Sequence, residues 1–252
     1  MIKHITAPAP RFLLRLFEIE RALRDRKALA GPHLSVGELG PGLGDVAAWL
    51  LDNPAVDSVS LIESSLKALT LLRARFETEP AACLLSSFPP EVNHFNLFLA
   101  FEVLEHLEDD QAMLSQIHRA LAQEGLLVGS VPAFMRKWET RDDMVGHIRR
   151  YERSELQKKL ECAGFRDIAI NVYGFPVTNM LYPFRELYYR NKRRRMSEHS
   201  RQEATHMSGI DRDLVQRLDK RLVFSLLKIL SPLQRLPLLC ELGDGFLFSA
   251  RK

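Results

Sequence analysis

"GELGPGLGDVAAWL", residues 37–50, decides the fold. Three glycines at alternating positions, Gly40, Gly42 and Gly44, stand between the apolar run "LSVGEL" and the helix-forming run "DVAAWLL". Glycine suits a turn that needs positive φ, or a backbone that must come close to a ligand. A strand feeding such a turn and then a helix aims unpaired N–H groups and the positive end of a helix dipole at one spot. Nucleotide-like ligands bind in that geometry.

Working outward, apolar patterning predicts a helix over 11–25, with Phe12, Leu16 and Ile19 at helical spacing. A strand over 33–39 precedes the turn, and a helix runs from it to about Leu51. Strands follow over 56–63, 81–87, 95–101 and 125–132, separated by helices over 65–77 and 109–122. A helix over 152–165, with Ser154 as cap and Gly164 as stop, leads to a sixth strand over 165–174. Such alternation implies an α/β fold with a doubly wound, mostly parallel sheet. Its ligands bind at the carboxyl ends of the strands, near the point where strand order reverses. Residues 175–243 break the rhythm with helical stretches at 177–195 and 211–230, and "GDGFLFSARK" returns as a short strand. The expected organisation is an N-terminal helical segment (1–30), a core (31–174), a helical insertion (175–243) and a last core strand (244–252).

The 252 residues are 46% hydrophobic and 27% charged, which supplies a substantial core. A net charge of +3 argues against nucleic acid as the partner. The three cysteines, Cys83, Cys162 and Cys240, are far apart and lack zinc spacing, which reads as reduced, buried thiols in a cytoplasmic protein. The first residues carry no apolar signal core, and no apolar stretch is long enough to span a membrane.

A dinucleotide fingerprint, G-x-G-x-x-G, does not fit. The residue three after Gly42 is Asp45, so the third glycine falls one place early and a carboxylate would face a pyrophosphate. The chain instead resembles the class I S-adenosylmethionine-dependent methyltransferases, whose E/D-x-G-x-G-x-G motif is matched by Glu38, Gly40, Gly42 and Gly44. The acid that ends their second strand is matched by Glu63 in "SLIESS"; "FNLFLAFEVLEHLEDD" and "LAQEGLLVGSVPA" look like their fourth- and fifth-strand motifs. The resemblance covers about residues 30–174. It implies a seven-stranded sheet closed by an antiparallel last strand, and S-adenosylmethionine as cofactor. Glu38, Gly40, Gly42, Gly44, Glu63, Ser86, Ser87, Phe101 and Glu102 would then bind the cofactor, with Glu63 on both ribose hydroxyls. Two departures are visible: Ser86 and Ser87 stand where an adenine-contacting Asp or Asn is common, and Asn96 replaces a usual fourth-strand Asp.

Two pieces carry candidate chemistry. "FEVLEHLEDD" sets Glu102, Glu105 and His106 at i, i+3 and i+4, which share a face on a helical turn. "GHIRRY" supplies His147, Arg149, Arg150 and Tyr151. The pair resembles the ubiquinone-pathway O-methyltransferases and the small-RNA 2′-O-methyltransferases. In the latter, Glu102, Glu105, His106 and His147 would be the ligands of a divalent metal, a set the reading does not favour here. His147 is the preferred general base with His106 beside it; Arg149, Tyr151 and Tyr182 are expected on the substrate, the last inside a lid with Tyr188 and Tyr189. The basic run "RNKRRR" (190–195) offers peripheral contact with phosphate or an anionic membrane surface. The preferred function is methyl transfer to an oxygen or nitrogen of a small molecule. The alternatives are small-RNA 2′-O-methylation, cyclisation of the cofactor, and a non-catalytic cofactor-binding regulator.

Overall fold

The computed structural model describes residues 1–6, 9–90, 92–195, 220–235 and 241–252. Seven strands form one sheet in the order β3-β2-β1-β4-β5-β7-β6. They are β1 (Leu34–Leu39), β2 (Val56–Ile62), β3 (Ala82–Leu85), β4 (Phe95–Phe101), β5 (Leu121–Pro132), β6 (Arg166–Tyr173) and β7 (Gly245–Arg251). β7 runs antiparallel between β5 and β6, and the remaining pairs are parallel. The doubly wound sheet inferred from the alternation is therefore observed, with its antiparallel last strand.

Helices cover both faces, as a sheet buried on two sides requires. On one face lie α1 (Pro10–Asp25), α2 (Asp45–Leu50), α3 (Leu66–Arg75) and α8 (Lys220–Leu230), packing Leu13, Leu16, Ile19, Ala47, Leu72 and Leu227 onto the sheet. On the other, α4 (Asp110–Ala120) and α6 (Arg153–Cys162) bury Leu114, Ile117, Leu156 and Leu160. Two further helices, α5 (Thr140–Val145) and α7 (Val177–Arg195), pack on each other.

Several local expectations change. α5 falls where the sequence predicts no helix; a capping box between Glu139 and Asp142 holds this short helix. α4 ends at Ala120, so Leu121 and Ala122, expected in the helix, already belong to β5. α6 is preceded by Glu152 as its N-cap residue, and Ser154 lies inside the helix. Cys83 and Cys162 are exposed where burial was expected, the first on the outermost strand and the second in the last turn of α6. Cys240, and the part of the predicted 211–230 helix before Lys220, lie outside the described residues. Among the described residues no helix is long and apolar enough to cross a membrane.

Candidate active site

Strand register brings the site together. Leu39 lies opposite Ile62 on one side and Ala100 on the other. The residues that follow each strand, Gly40, Glu63 and Glu102, therefore leave the sheet side by side where strand order reverses. A cavity of about 900 Å³ opens there, lined by the glycine turn, the ends of β2, β3 and β4, α1 and α7. Small-molecule sites span about 300–1,000 Å³.

The three turn glycines have φ of +62, +58 and +72°. Gly40 and Gly42 line the cavity. Gly44 does not: a Cβ there would lie 2.6 Å from the Phe76 ring, so this glycine lets the turn pack against α3. Asp45 opens α2 and is spent on structure, accepting from Thr6 Oγ1 at 2.7 Å and Arg75 Nη1 at 2.7 Å. Glu38 is buried with Oε2 unbonded among the described residues. Burial, then the nearby Asp45, pushes its carboxyl up to about 8.

Glu63 lines the cavity beside Ser64 and Ser65, with Ser86, Ser87 and Phe88 beyond the end of β3. Its backbone N–H donates to Leu85 O at 2.9 Å, and its Oε1 accepts from Ser65 N at 2.8 Å. Asn96 is remote from this wall: its Oδ1 accepts from Ser35 N at 2.9 Å.

α1 contributes what the sequence reading missed. Arg11 and Arg15 sit one turn apart among the apolar residues that open α1 and line the cavity. Arg11 Nη1 donates to Glu102 Oε2 at 2.6 Å, while Arg11 Nη2 and Arg15 Nε are buried without hydrogen-bond partners among the described residues. Two arginines at i, i+4 among Phe12, Leu13, Leu14, Leu16 and Phe17 were the available signal.

The E-x-x-E-H segment does not form the expected helical face. Glu102 takes φ +57°, and only Leu104–His106 makes a single 3₁₀ turn. Glu102 swings to Arg11, and also accepts from Ser130 Oγ at 3.1 Å and Tyr173 OH at 3.0 Å. Burial favours its neutral form, but Arg11 and Arg15 prevail and hold the carboxyl well below the ordinary range. Glu105, His106 and His147 converge instead, with one ligand atom from each lying within 4.8 Å of the others.

His147 Nδ1 pairs with Asp142 Oδ1 at 2.7 Å, which leaves Nε2 unprotonated, 3.6 Å from Glu105 Oε1. Burial lowers the His147 pKa against the opposing pull of Asp142, and burial with the neighbouring His147 lowers that of His106 to about 4. Both imidazoles are neutral near neutral pH. Glu105 is fully buried with neither oxygen bonded among the described residues; burial, then the charge of Glu102, pushes its carboxyl well up.

Three substrate candidates do not reach the cavity. Tyr151 is buried by its bridge to Ala133 and donates to Asp110 Oδ2 at 2.6 Å. Arg149 pairs with Asp110 at 3.0 Å and donates to Glu108 O at 2.9 Å. Tyr182 is outside the lining that α7 contributes through Leu181, Phe184, Arg185, Tyr188, Tyr189 and Lys192. Arg150 is structural too: its Nε and Nη2 reach Asp142 Oδ2 at 2.9 and 2.7 Å. α7 is latched to α5 through Glu186 on Thr140 Oγ1 (2.6 Å) and Arg185 Nε on Glu139 Oε2 (3.0 Å).

A family model described as a methyltransferase domain matches residues 1–170. The chain belongs to the methyltransferase-domain family. This methyltransferase is similar in fold to a Galdieria sulphuraria protein assigned as a sarcosine dimethylglycine methyltransferase (TM-score 0.59, 12% identity, covering 95% of this chain and 86% of that one). A SAM-dependent methyltransferase from Archaeoglobus fulgidus gives a TM-score of 0.55 at 14% identity, with 93% of each chain covered. Phosphoethanolamine N-methyltransferase 2 of Haemonchus contortus, in complex with phosphomonomethylethanolamine and S-adenosylhomocysteine, gives 0.55 at 16% identity over 91% of this chain and 52% of that one. No curated protein matches the sequence. With the family, S-adenosylmethionine is the cofactor and the chain is a methyltransferase. The site fits that group: an unbonded Glu38 oxygen and unbonded Arg11 and Arg15 nitrogens offer complementary partners to an amino acid's ammonium and carboxylate.

Proposed function

We propose that this methyltransferase acts on an oxygen or nitrogen of an apolar small molecule, with His147 as general base. The observation that carries this reading is a cavity whose α7 wall presents Leu181, Phe184, Tyr188 and Tyr189, with His147 in the same lining and its Nδ1 held by Asp142. S-adenosylmethionine supplies an electrophilic methyl group. Glu63 accepts from the ribose hydroxyls, Ser86 and Ser87 edge the adenine, Arg11 and Arg15 hold the carboxylate, and Glu38 meets the ammonium. Phe101, at the end of β4, completes the wall of this pocket. Leu181, Phe184, Tyr188 and Tyr189 cover the acceptor and exclude water, with α7 as lid. When the methyl group leaves the sulfonium sulfur, releasing the neutral thioether S-adenosylhomocysteine, for the acceptor oxygen or nitrogen, His147 Nε2 would take the acceptor's proton and Asp142 would steady the imidazolium. Positioning supplies most of the acceleration.

Incubation with methyl-labelled cofactor and a cell extract, fractionated afterwards, tests the reading. Label in the apolar small-molecule fraction supports it; label confined to RNA or protein refutes it.

A second reading is favoured by one observation: two neutral imidazoles and an orphaned carboxylate form a donor set that suits a divalent ion. Glu105, His106 and His147 would hold it, and the ion would lower the acceptor's pKa. Glu102, committed to Arg11, would stay outside. Activity that disappears in chelator and returns with Mg²⁺ or Mn²⁺ selects this reading; survival in chelator selects the lone base.

A further inference from the structure

α7 and α8 present apolar side chains to solvent in ordered stripes. On α7, Met180, Phe184 and Leu187 are 71%, 71% and 60% exposed and stand at i, i+4 and i+7, one face of the helix. The same face continues through Asn191 to Arg194 and Arg195, all exposed. Neither arginine is ion-paired with another described residue. On α8, Leu222, Leu226 and Ile229 repeat the spacing, at 70%, 56% and 76% exposure. Both helices pack against α1. Phe184 belongs both to the exposed stripe of α7 and to the cavity wall, so the cavity mouth opens beside that stripe.

Ordered apolar exposure on this scale marks an interaction surface. Its chemistry is one-sided. α8 carries no Asp or Glu. The lone carboxylate of α7, Glu186, is turned away to Thr140 and Arg190. Among the described residues, a second copy of the chain meeting this face through the same face would bring no anion to Arg194 and Arg195. An anionic bilayer meets both needs, because its acyl boundary accepts the apolar stripe and its headgroups meet the basic end.

We propose that the exposed faces of α7 and α8 dock on an anionic lipid bilayer, lying in the interface without spanning it. Under the acceptor reading above, on which this consequence rests, an apolar acceptor dissolved in the bilayer enters the cavity mouth directly.

Flotation of the full chain with vesicles of phosphatidylcholine, with and without phosphatidylglycerol, tests the docking and needs no turnover. The chain is expected to float with phosphatidylglycerol vesicles and to be released by high salt. The double variant M180S/L187S, at positions outside the cavity wall, should bind about tenfold more weakly or worse. R194E/R195E should lose preference for anionic vesicles, since each basic group near such a surface contributes about fivefold to partitioning. Both variants should keep the wild-type affinity for S-adenosylhomocysteine, which separates lost docking from misfolding and from failure of the cofactor site. The proposal is overturned if the wild type ignores anionic vesicles, or if both variants bind them as it does. It is equally overturned if light scattering finds a wild-type dimer that M180S/L187S converts to monomer.

Discussion

Replacing Glu63 tests the cofactor pocket at its most separable point. The carboxylate leaves the sheet beside Gly40, and one of its oxygens accepts from Ser65 N at 2.8 Å. The remaining acceptor sites are free for ribose hydroxyls. A hydrogen bond to a charged group contributes about 1.5–3 kcal/mol, so Glu63→Ala should weaken S-adenosylhomocysteine binding roughly 10- to 150-fold. Glu63→Gln sharpens the case. Its amide keeps one acceptor oxygen, which Ser65 N–H shares with at most one ribose hydroxyl, and its NH₂ accepts nothing. The glutamine variant should therefore bind between the wild type and the alanine variant while keeping the local turn intact. Ser65 is partly solvent-exposed, so water replaces the lost bond and both variants should melt close to the wild type. Isothermal titration reads the affinity. A folded Glu63→Ala protein that binds within threefold of wild type would refute the assignment.

The turn glycines should separate by role. Gly42→Val, at φ +58° on the cavity wall, should abolish cofactor binding and leave a folded protein by circular dichroism. Gly44→Ala should act first on stability, because φ +72° and contact with Phe76 both oppose a side chain; a loss of about 1–3 kcal/mol, seen as a lower Tm, is expected. The pH profile should report His147. Burial holds its pKa below the ordinary 6.5, and the neutral ring is the active form, so the rate should be flat above pH 6.5 and fall as acid protonates it. A rate that climbs steadily through pH 7–9 would exclude His147 as the base.

Much of this architecture could be read from residues 30–174, since strand and helix periods alternate cleanly there. β4 (Phe95–Phe101) and α7 (Val177–Arg195) span the residues that the sequence predicts for them. What escaped was set by tertiary contact. α5 is six residues long and has no apolar period; its cap and its packing under α7 hold it. Spacing placed Glu102 with Glu105 and His106, but a positive φ and two arginines from a distant helix pulled it away. Tyr151 follows His147 closely in sequence, yet its bridge to Ala133 carries the ring into the core. Arg11 and Arg15 were hidden because the reading of α1 followed its apolar residues only.

The central claim is that the cavity beneath α1 and α7 is the S-adenosylmethionine site. Titration of the purified chain with S-adenosylhomocysteine, repeated with Arg15→Met, measures this most directly. The account predicts one site per chain, displaced by S-adenosylmethionine, and an affinity at least tenfold weaker when the guanidinium is removed. Saturable binding that Arg15→Met leaves unchanged, or no binding at millimolar ligand, would contradict it.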